Sequence, residues 1–476
     1  MLTSMWSIAA AIVMTVSVVI ECATATDTLF RLPLRPSARR RLEGSPYNEQ
    51  RLNGTFSSHS AELYLGVPPQ KATVVIDTGS AITAVACSTC KNCGAHNRPA
   101  YDPAKSTTAR PLACRDSSIC TSCSSQQCLV SQTYADSSSF DAYLVAETAL
   151  LGNFNGSLSS AYVQANGVTM SVGCQTSVSG GFAYHPENGI LGMQQDPSTL
   201  LAAMVRQGRV SRNAFSLCLA PLGTGTIVLG GVDDYLHNDV MQYVPLVRPP
   251  SSKYFSVDVV DVIVGATSLG LDSTAYVGFG GTQSSGQSFI VDSGSTISQL
   301  PVPVFDKLMQ VLQEATGIAS FGMGTNVVVP PLVMAKLPTL RLVLSGGTKG
   351  TGTVQLVVLP EQYVMTVPDS SSSSTTTQQV VGFRRGTATI GGVLGANVMM
   401  HHNILFDLEM QRIGIAPATC TKTRETIADL VQLATSIANT STPPPLAPTS
   451  RGVHHNPHHV VAMVVLVVVL VSHYSS

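Results

Sequence analysis

One motif occurs in duplicate. Val74-Val75-Ile76-Asp77-Thr78-Gly79-Ser80-Ala81-Ile82 returns in the second half as Phe289-Ile290-Val291-Asp292-Ser293-Gly294-Ser295-Thr296-Ile297, so that Asp-(Thr/Ser)-Gly-Ser twice follows an apolar, β-branched run. About a hundred residues after each copy comes a second matched turn, Gly189-Ile190-Leu191-Gly192 and Gly392-Val393-Leu394-Gly395. An acidic turn and then an apolar glycine turn, twice in the same order, imply two homologous lobes. Alternating runs broken by turn residues surround them, among them Glu62-Leu63-Tyr64-Leu65 before Gly66-Val67-Pro68-Pro69, and Phe255-Ser256-Val257-Asp258-Val259-Val260. These read as strands, and each lobe is expected to be a β barrel or sandwich. Helices are expected over 198–207 and 304–315, where apolar residues recur at helical spacing.

Composition points the same way. At 476 residues the chain exceeds one ordinary domain. Charged residues make up 12% against roughly 25% in an average soluble protein, while Ser, Thr, Val and Gly are abundant, which favours strands over charged helices. Lys plus Arg number 27 and Asp plus Glu 28, a formal charge of −1. With no basic face to neutralise phosphates, nucleic acid is not expected as a partner.

Both ends read as targeting segments. Residues 1–25 form a signal peptide, apolar from Trp6 to Ile20 and closed by the small-residue pattern Ala23-Thr24-Ala25. The first residues lack the basic side chain that usually opens a signal, so an uncleaved anchor helix is the alternative. Residues 26–57 hold Arg31, Arg35, Arg39, Arg40, Arg41 and Arg51 with few acids, a basic prosegment suited to an acidic cleft or else a solvated leader. At the far end, 421–459 reads as a polar stalk and 460–471 as about twelve apolar residues, where a bilayer span takes about 20. Coming after a polar stretch and almost at the chain end, that run matches a glycosylphosphatidylinositol attachment signal, with a short transmembrane tail as the alternative.

Of the 11 cysteines, Cys22 lies in the signal, leaving an even number suited to disulfides in an oxidising compartment. Cys87, Cys90, Cys93, Cys114, Cys120, Cys123, Cys128 and Cys174 crowd the first half; only Cys218 and Cys420 lie beyond. Cys87, Cys90 and Cys93 with His96 nearby have metal-ligand spacing, but the secretory route favours disulfides. Eight cysteines admit 105 pairings, and the spacing selects none. Asn53, Asn155 and Asn439 head N-glycosylation sequons.

An Asp closing a buried strand is costly unless paired or hydrogen bonded. Two copies suggest a facing pair: if the lobes meet about a pseudo-twofold axis, Asp77 and Asp292 approach to about 3 Å and hold one proton between them. One carboxyl then serves as base toward a water that attacks a peptide carbonyl, while the other protonates the oxyanion. Gly79 and Gly294 allow close backbone approach, Thr78 and Ser293 can bond across the lobes, and Ser80 and Ser295 can hold the outer carboxylate oxygens. The chemistry requires no metal or cofactor.

Gly66-Val67-Pro68-Pro69-Gln70 before Asp77, Tyr134-Ala135-Asp136-Ser137 after Cys128, both glycine turns, and Phe406-Asp407 with Arg412-Ile413-Gly414-Ile415-Ala416 resemble the pepsin-like aspartic endopeptidases. The likeness covers roughly 58–420. The cysteine cluster is similar to the nepenthesin-type insertion of plant enzymes, and Cys87 to Gly94 looks most like plasmepsin V, a secretory-pathway protease that processes exported proteins. The resemblance implies a mostly β, bilobal fold with a first lobe at 58–218, a second at 219–420 and the cleft between them. It implies that Tyr134 lies on a flap that closes over bound peptide, and that Cys218 reaches Cys420 while the other eight cysteines pair among themselves. Two departures stand out. Pepsins follow the first Asp motif with a tryptophan that bonds the flap tyrosine, whereas this chain reads Ala81-Ile82-Thr83-Ala84-Val85-Ala86. Plasmepsin V has a cysteine after its flap tyrosine, here Ala135, and then an acidic residue, matched by Asp136, which is a candidate for binding a substrate arginine or an ordinary turn residue.

The expected protein is thus a monomeric aspartic endopeptidase acting on polypeptides in the secretory pathway, held at the endoplasmic reticulum, another endomembrane or the cell surface by its tail. The alternatives are a catalytically silent pepsin-like binding or inhibitor protein, and a structural surface glycoprotein for which the Ser/Thr-rich stretch 369–377 would serve.

Overall fold

Period-two burial builds the first lobe. Strand Gln70–Asp77 alternates buried and half-buried residues up to its acidic end, and its partner His59–Leu65 is buried throughout. The computed structural model describes residues 30–36 and 58–421, apart from 153–157, 238, 248–251, 277–288, 323–325, 347–351, 369–376 and 387–391. The signal segment, most of the basic leader, the sequons at Asn53, Asn155 and Asn439, the stalk from 422 and the run 460–471 lie outside the described residues. Among the described residues no helix is long and apolar enough to cross a membrane.

The fold is mostly β and bilobal, and the repeat is visible in its hydrogen bonding. In the first lobe Gly189–Gly192 runs parallel to the end of Gln70–Asp77, with Leu191 opposite Ile76 and Gly192 opposite Asp77, and antiparallel to Ala84–Ala86. In the second, Gly392–Leu394 runs parallel to Phe289–Val291, with Leu394 opposite Val291, and antiparallel to Ser298–Leu300. Each acidic turn is thus clasped by the glycine turn that follows it. Cβ atoms on Gly192 and Gly395 would stand 2.5 Å from the Ala81 carbonyl carbon and 2.6 Å from the Ser295 carbonyl oxygen, closer than any side chain allows.

A shared antiparallel sheet joins the halves, bonding Ala214–Leu219 to Gly225–Leu229 on one side and to His402–Asp407 on the other. Residue 218, where the first lobe is expected to end, lies inside the strand Ala214–Leu219. Phe215 stacks on Phe406 at 4.6 Å and Phe255 meets Phe406 edge-on at 4.8 Å, all three fully buried. Part of the leader joins this sheet too: Phe30–Pro36 pairs with Gly225–Leu229, Phe30 opposite Leu229, before handing over to His59–Leu65. Its alternation of Phe30, Leu32 and Leu34 with Arg31 and Arg35 is a strand pattern obscured by the arginines.

Both expected helices form, with shifted ends. Leu200–Arg206 begins after Thr199, whose side chain caps Ala202 N. Val302–Thr316 buries Val304, Phe305, Leu308, Met309 and Leu312 along one face and stops at Gly317, where φ is +70°. The ten described cysteines form Cys87–Cys174, Cys90–Cys93, Cys114–Cys123, Cys120–Cys128 and Cys218–Cys420.

Candidate active site

The two acidic turns meet at the lobe interface through a reciprocal lattice of hydrogen bonds. Thr78 Oγ1 donates to Val291 O at 2.9 Å and accepts from Ser293 N at 2.9 Å; Ser293 Oγ donates to Ile76 O at 2.8 Å and accepts from Thr78 N at 3.2 Å. Two buried hydroxyls thereby pair backbone groups across the interface, as buried polar groups require.

That lattice sets Asp77 and Asp292 against each other, so that a Cβ on Gly294 would touch a carboxylate oxygen of each. Each carboxylate has the same local donors. Gly79 N donates to Asp77 Oδ1 at 2.8 Å and Gly294 N to Asp292 Oδ1 at 2.9 Å. Ser80 Oγ donates to Asp77 Oδ2, and Ser295 Oγ to Asp292 Oδ2 at 2.7 Å. The glycines are obligatory: a Cβ on Gly79 would stand 2.6 Å from Asp292 Oδ1, and one on Gly294 would run into Asp77 Oδ1. Symmetry is broken by burial, since Asp77 is 3% exposed while Asp292 is half-buried. Burial first, and the charge of Asp292 second, hold the Asp77 carboxyl well above the ordinary carboxylate range, against the pull of the Ser80 hydroxyl and the Gly79 amide.

Tyr134 starts the tip of the hairpin formed by Gln127–Thr133 and Ser139–Leu151. The turn closes through Tyr134 N to Ser138 O at 2.8 Å and Ser137 N to Tyr134 O at 3.0 Å. Burial, and then the charge at Asp77, push the Tyr134 phenol up. Its hydroxyl is buried and has no hydrogen-bond partner among the described residues. Where pepsins have an indole, the ring instead meets Phe182 edge-on at 5.2 Å and Phe140 at 6.3 Å. Asp136 is exposed at the tip, and its carboxylate accepts from Ser138 N at 2.9 Å and Ser138 Oγ at 2.8 Å.

Sequence reasoning missed several neighbours. Gln194 Nε2 donates to Gly79 O at 2.6 Å, supporting the first acidic turn from behind. Gln195 Nε2 reaches Tyr254 O at 2.8 Å and Asp196 pairs with Lys253 Nζ at 2.5 Å, tying the two halves together. Phe182 and Gly181 follow no periodic pattern, and their contacts are tertiary. Cys87, Cys90 and Cys93 are committed to disulfides, and His96 Nδ1 lies 3.3 Å from His185 O. Among the described residues no group of three or more His, Cys, Asp or Glu is arranged to hold a metal.

Two β-rich lobes, each bringing an Asp-(Thr/Ser)-Gly-Ser turn to the interface between them, are arranged as in the pepsin-like aspartic proteases. The Xylanase inhibitor N-terminal family model matches residues 59–231. A beta-secretase of Strongylocentrotus purpuratus is 27% identical over 454 residues, 86% of this chain and 78% of that protein. Pepsin B of Canis lupus familiaris is 25% identical over 372 residues, 76% of this chain and 81% of that protein. Aspartic protease 5 of Toxoplasma gondii is 27% identical over 249 residues, 47% of this chain, and the match spans 23% of that longer protein. By fold and by these matches, the chain is a relative of the pepsin-like aspartic proteases.

Proposed function

We propose that this protein is an aspartic endopeptidase in which Asp77 and Asp292 cleave peptide bonds through a water held between them. The observation that carries the reading is the complete, duplicated donor set: each carboxylate keeps its glycine N–H and its serine hydroxyl. Asp77, which retains its proton, is the acid toward the substrate carbonyl oxygen. Asp292 takes a proton from the water as the water oxygen bonds to the carbonyl carbon. Collapse of the tetrahedral gem-diol breaks the C–N bond as Asp292 gives its proton to the leaving nitrogen and Asp77 takes one from a diol hydroxyl, re-forming a carboxyl product and leaving the pair with its single proton. Thr78 and Ser293 hold the carboxylates in register so that no reorganisation is needed during the reaction, and Tyr134 on the flap covers the peptide.

The matched family's description names an inhibitor, which favours a second reading: a catalytically silent binding protein at the cell surface. Digestion of a peptide library at several pH values separates the two. The proposal expects a bell-shaped profile with its optimum on the acid side of neutrality, abolished by a statine-type inhibitor. A silent protein cleaves nothing, and activity abolished by chelators but insensitive to statine points to another mechanism.

Five disulfides support an oxidising compartment, and we place the enzyme in the secretory pathway, processing secretory or exported proteins while lipid-anchored through its tail. Phosphatidylinositol-specific phospholipase is expected to release it from membranes. Retention after that treatment, with peptides from 460–471 recovered, establishes a short transmembrane tail instead.

A further inference from the structure

The flap tip is fastened to a neighbouring loop of its own lobe. Ser138, 4% exposed, donates through Oγ to Asp136 Oδ2 at 2.8 Å and accepts at the same atom from Gly181 N at 2.9 Å. Gly181 belongs to the short 3-10 turn Gly180–Ala183. Gly180, at φ +62°, packs so closely that a Cβ there would lie 2.8 Å from Ser138 Cα. Phe182 from the same turn meets Tyr134 at 5.2 Å and Phe140 at 6.0 Å, both edge-on. The turn is braced from behind: Gly94, at φ +80° and next to the Cys90–Cys93 disulfide, has no room for a Cβ against the Ala183 carbonyl.

We propose that Asp136, Ser138 and Phe182 form a latch that sets the position of the flap over the carboxylates, in place of the indole that the strand after Asp77 lacks. Resting on the protease reading above, this makes Asp136 a positioning residue and not a reader of substrate charge. Both of its carboxylate oxygens take donors from Ser138, so the charge at the tip is used to shape the hairpin that carries Tyr134. The flap then closes against a wall fixed by the cysteine-rich segment.

The test uses the full chain and two independent readouts. Losing one hydrogen bond of this kind is expected to cost about tenfold in rate. Ser138→Ala, Asp136→Ala and Phe182→Ala are each expected to lower kcat/KM about tenfold, equally on peptides with and without arginine and with the limbs of the pH profile unmoved. The Ser138→Ala, Phe182→Ala pair is expected to lose less than the product of the single losses, because both act on one latch. Asp136→Asn is expected to recover most of the loss, since its amide oxygen accepts from Ser138 N and its NH2 can donate to Ser138 Oγ. Hydrogen exchange reports on the latch without any substrate: the Gly181 amide is expected to be protected in wild type and to exchange about tenfold faster in Ser138→Ala, with the core protection of both proteins identical. A Gly181 amide that exchanges equally fast in both overturns the latch, as does Asp136→Asn losing arginine-containing peptides selectively. Protection at Gly181 in a protein that hydrolyses no peptide upholds the latch and overturns only the protease reading.

Discussion

At Asp77 burial and a facing carboxylate act in the same direction, both favouring the protonated form, while the Ser80 hydroxyl and the Gly79 amide oppose them. A group whose folded pKa is raised contributes stability that is fully present below its unfolded value and is lost as pH rises through the folded one. The charge at Asp77 is therefore a liability to the fold near neutrality. Asp77→Asn, which removes that charge with little change in shape, is expected to melt at a higher temperature than wild type at pH 7, with the difference closing as pH falls. Thermal melts across that range check it; a variant less stable at pH 7 and unchanged at pH 4 would contradict the protonation assigned to Asp77.

Each lobe relies on the same unit of element structure, a strand ending in the acidic turn and a glycine turn laid parallel beside it. Gly192→Ala and Gly395→Ala press a methyl group onto backbone at Ala81 and Ser295, so each is expected to destabilise by about 3 kcal/mol, as overpacking against groups that cannot give way does. Denaturant titration measures it, and a change below about 0.5 kcal/mol would mean that the backbone yields. This unit was legible because the motif occurs twice and its strands carry period-two or continuous apolar patterns. What was not legible depended on partners distant in sequence. Phe30–Pro36 alternates like a strand, but only Gly225–Leu229 across the sheet gives it an edge to join. The interleaved bridges Cys114–Cys123 and Cys120–Cys128, and the long Cys87–Cys174, follow from strand pairing that spacing alone does not encode. Phe182 carries no pattern at all: its contact with Tyr134 at the hairpin tip is tertiary.

Across the whole molecule, two buried histidines are expected to weaken the fold in acid. Burial holds His59 and His402 at about 4, against an ordinary value of 6.5. Both accordingly stay neutral in the fold: His59 bonds Ala220 O at 2.9 Å and His402 bonds Met400 O at 3.0 Å, near the shared sheet and the Cys218–Cys420 bridge. With folded values depressed, their contribution is complete above about pH 6.5 and is lost as pH falls through about 4, roughly 3 kcal/mol for each. The double variant His59→Gln, His402→Gln is expected to flatten the fall in stability between pH 6.5 and 4; an unchanged slope assigns the acid limit elsewhere. Opposed slopes from Asp77 and the histidines leave a mildly acid window in which the fold is stable and the pair still holds its proton. Whether the two lobes contribute one carboxyl each to a single catalytic unit, as proposed, is tested most directly by kcat/KM for peptide hydrolysis by wild type, Asp77→Ala, Asp292→Ala and the double variant. Each single substitution is predicted to abolish cleavage with the fold intact, and the double to lose no more than either alone; substantial hydrolysis by purified Asp292→Ala protein would contradict it.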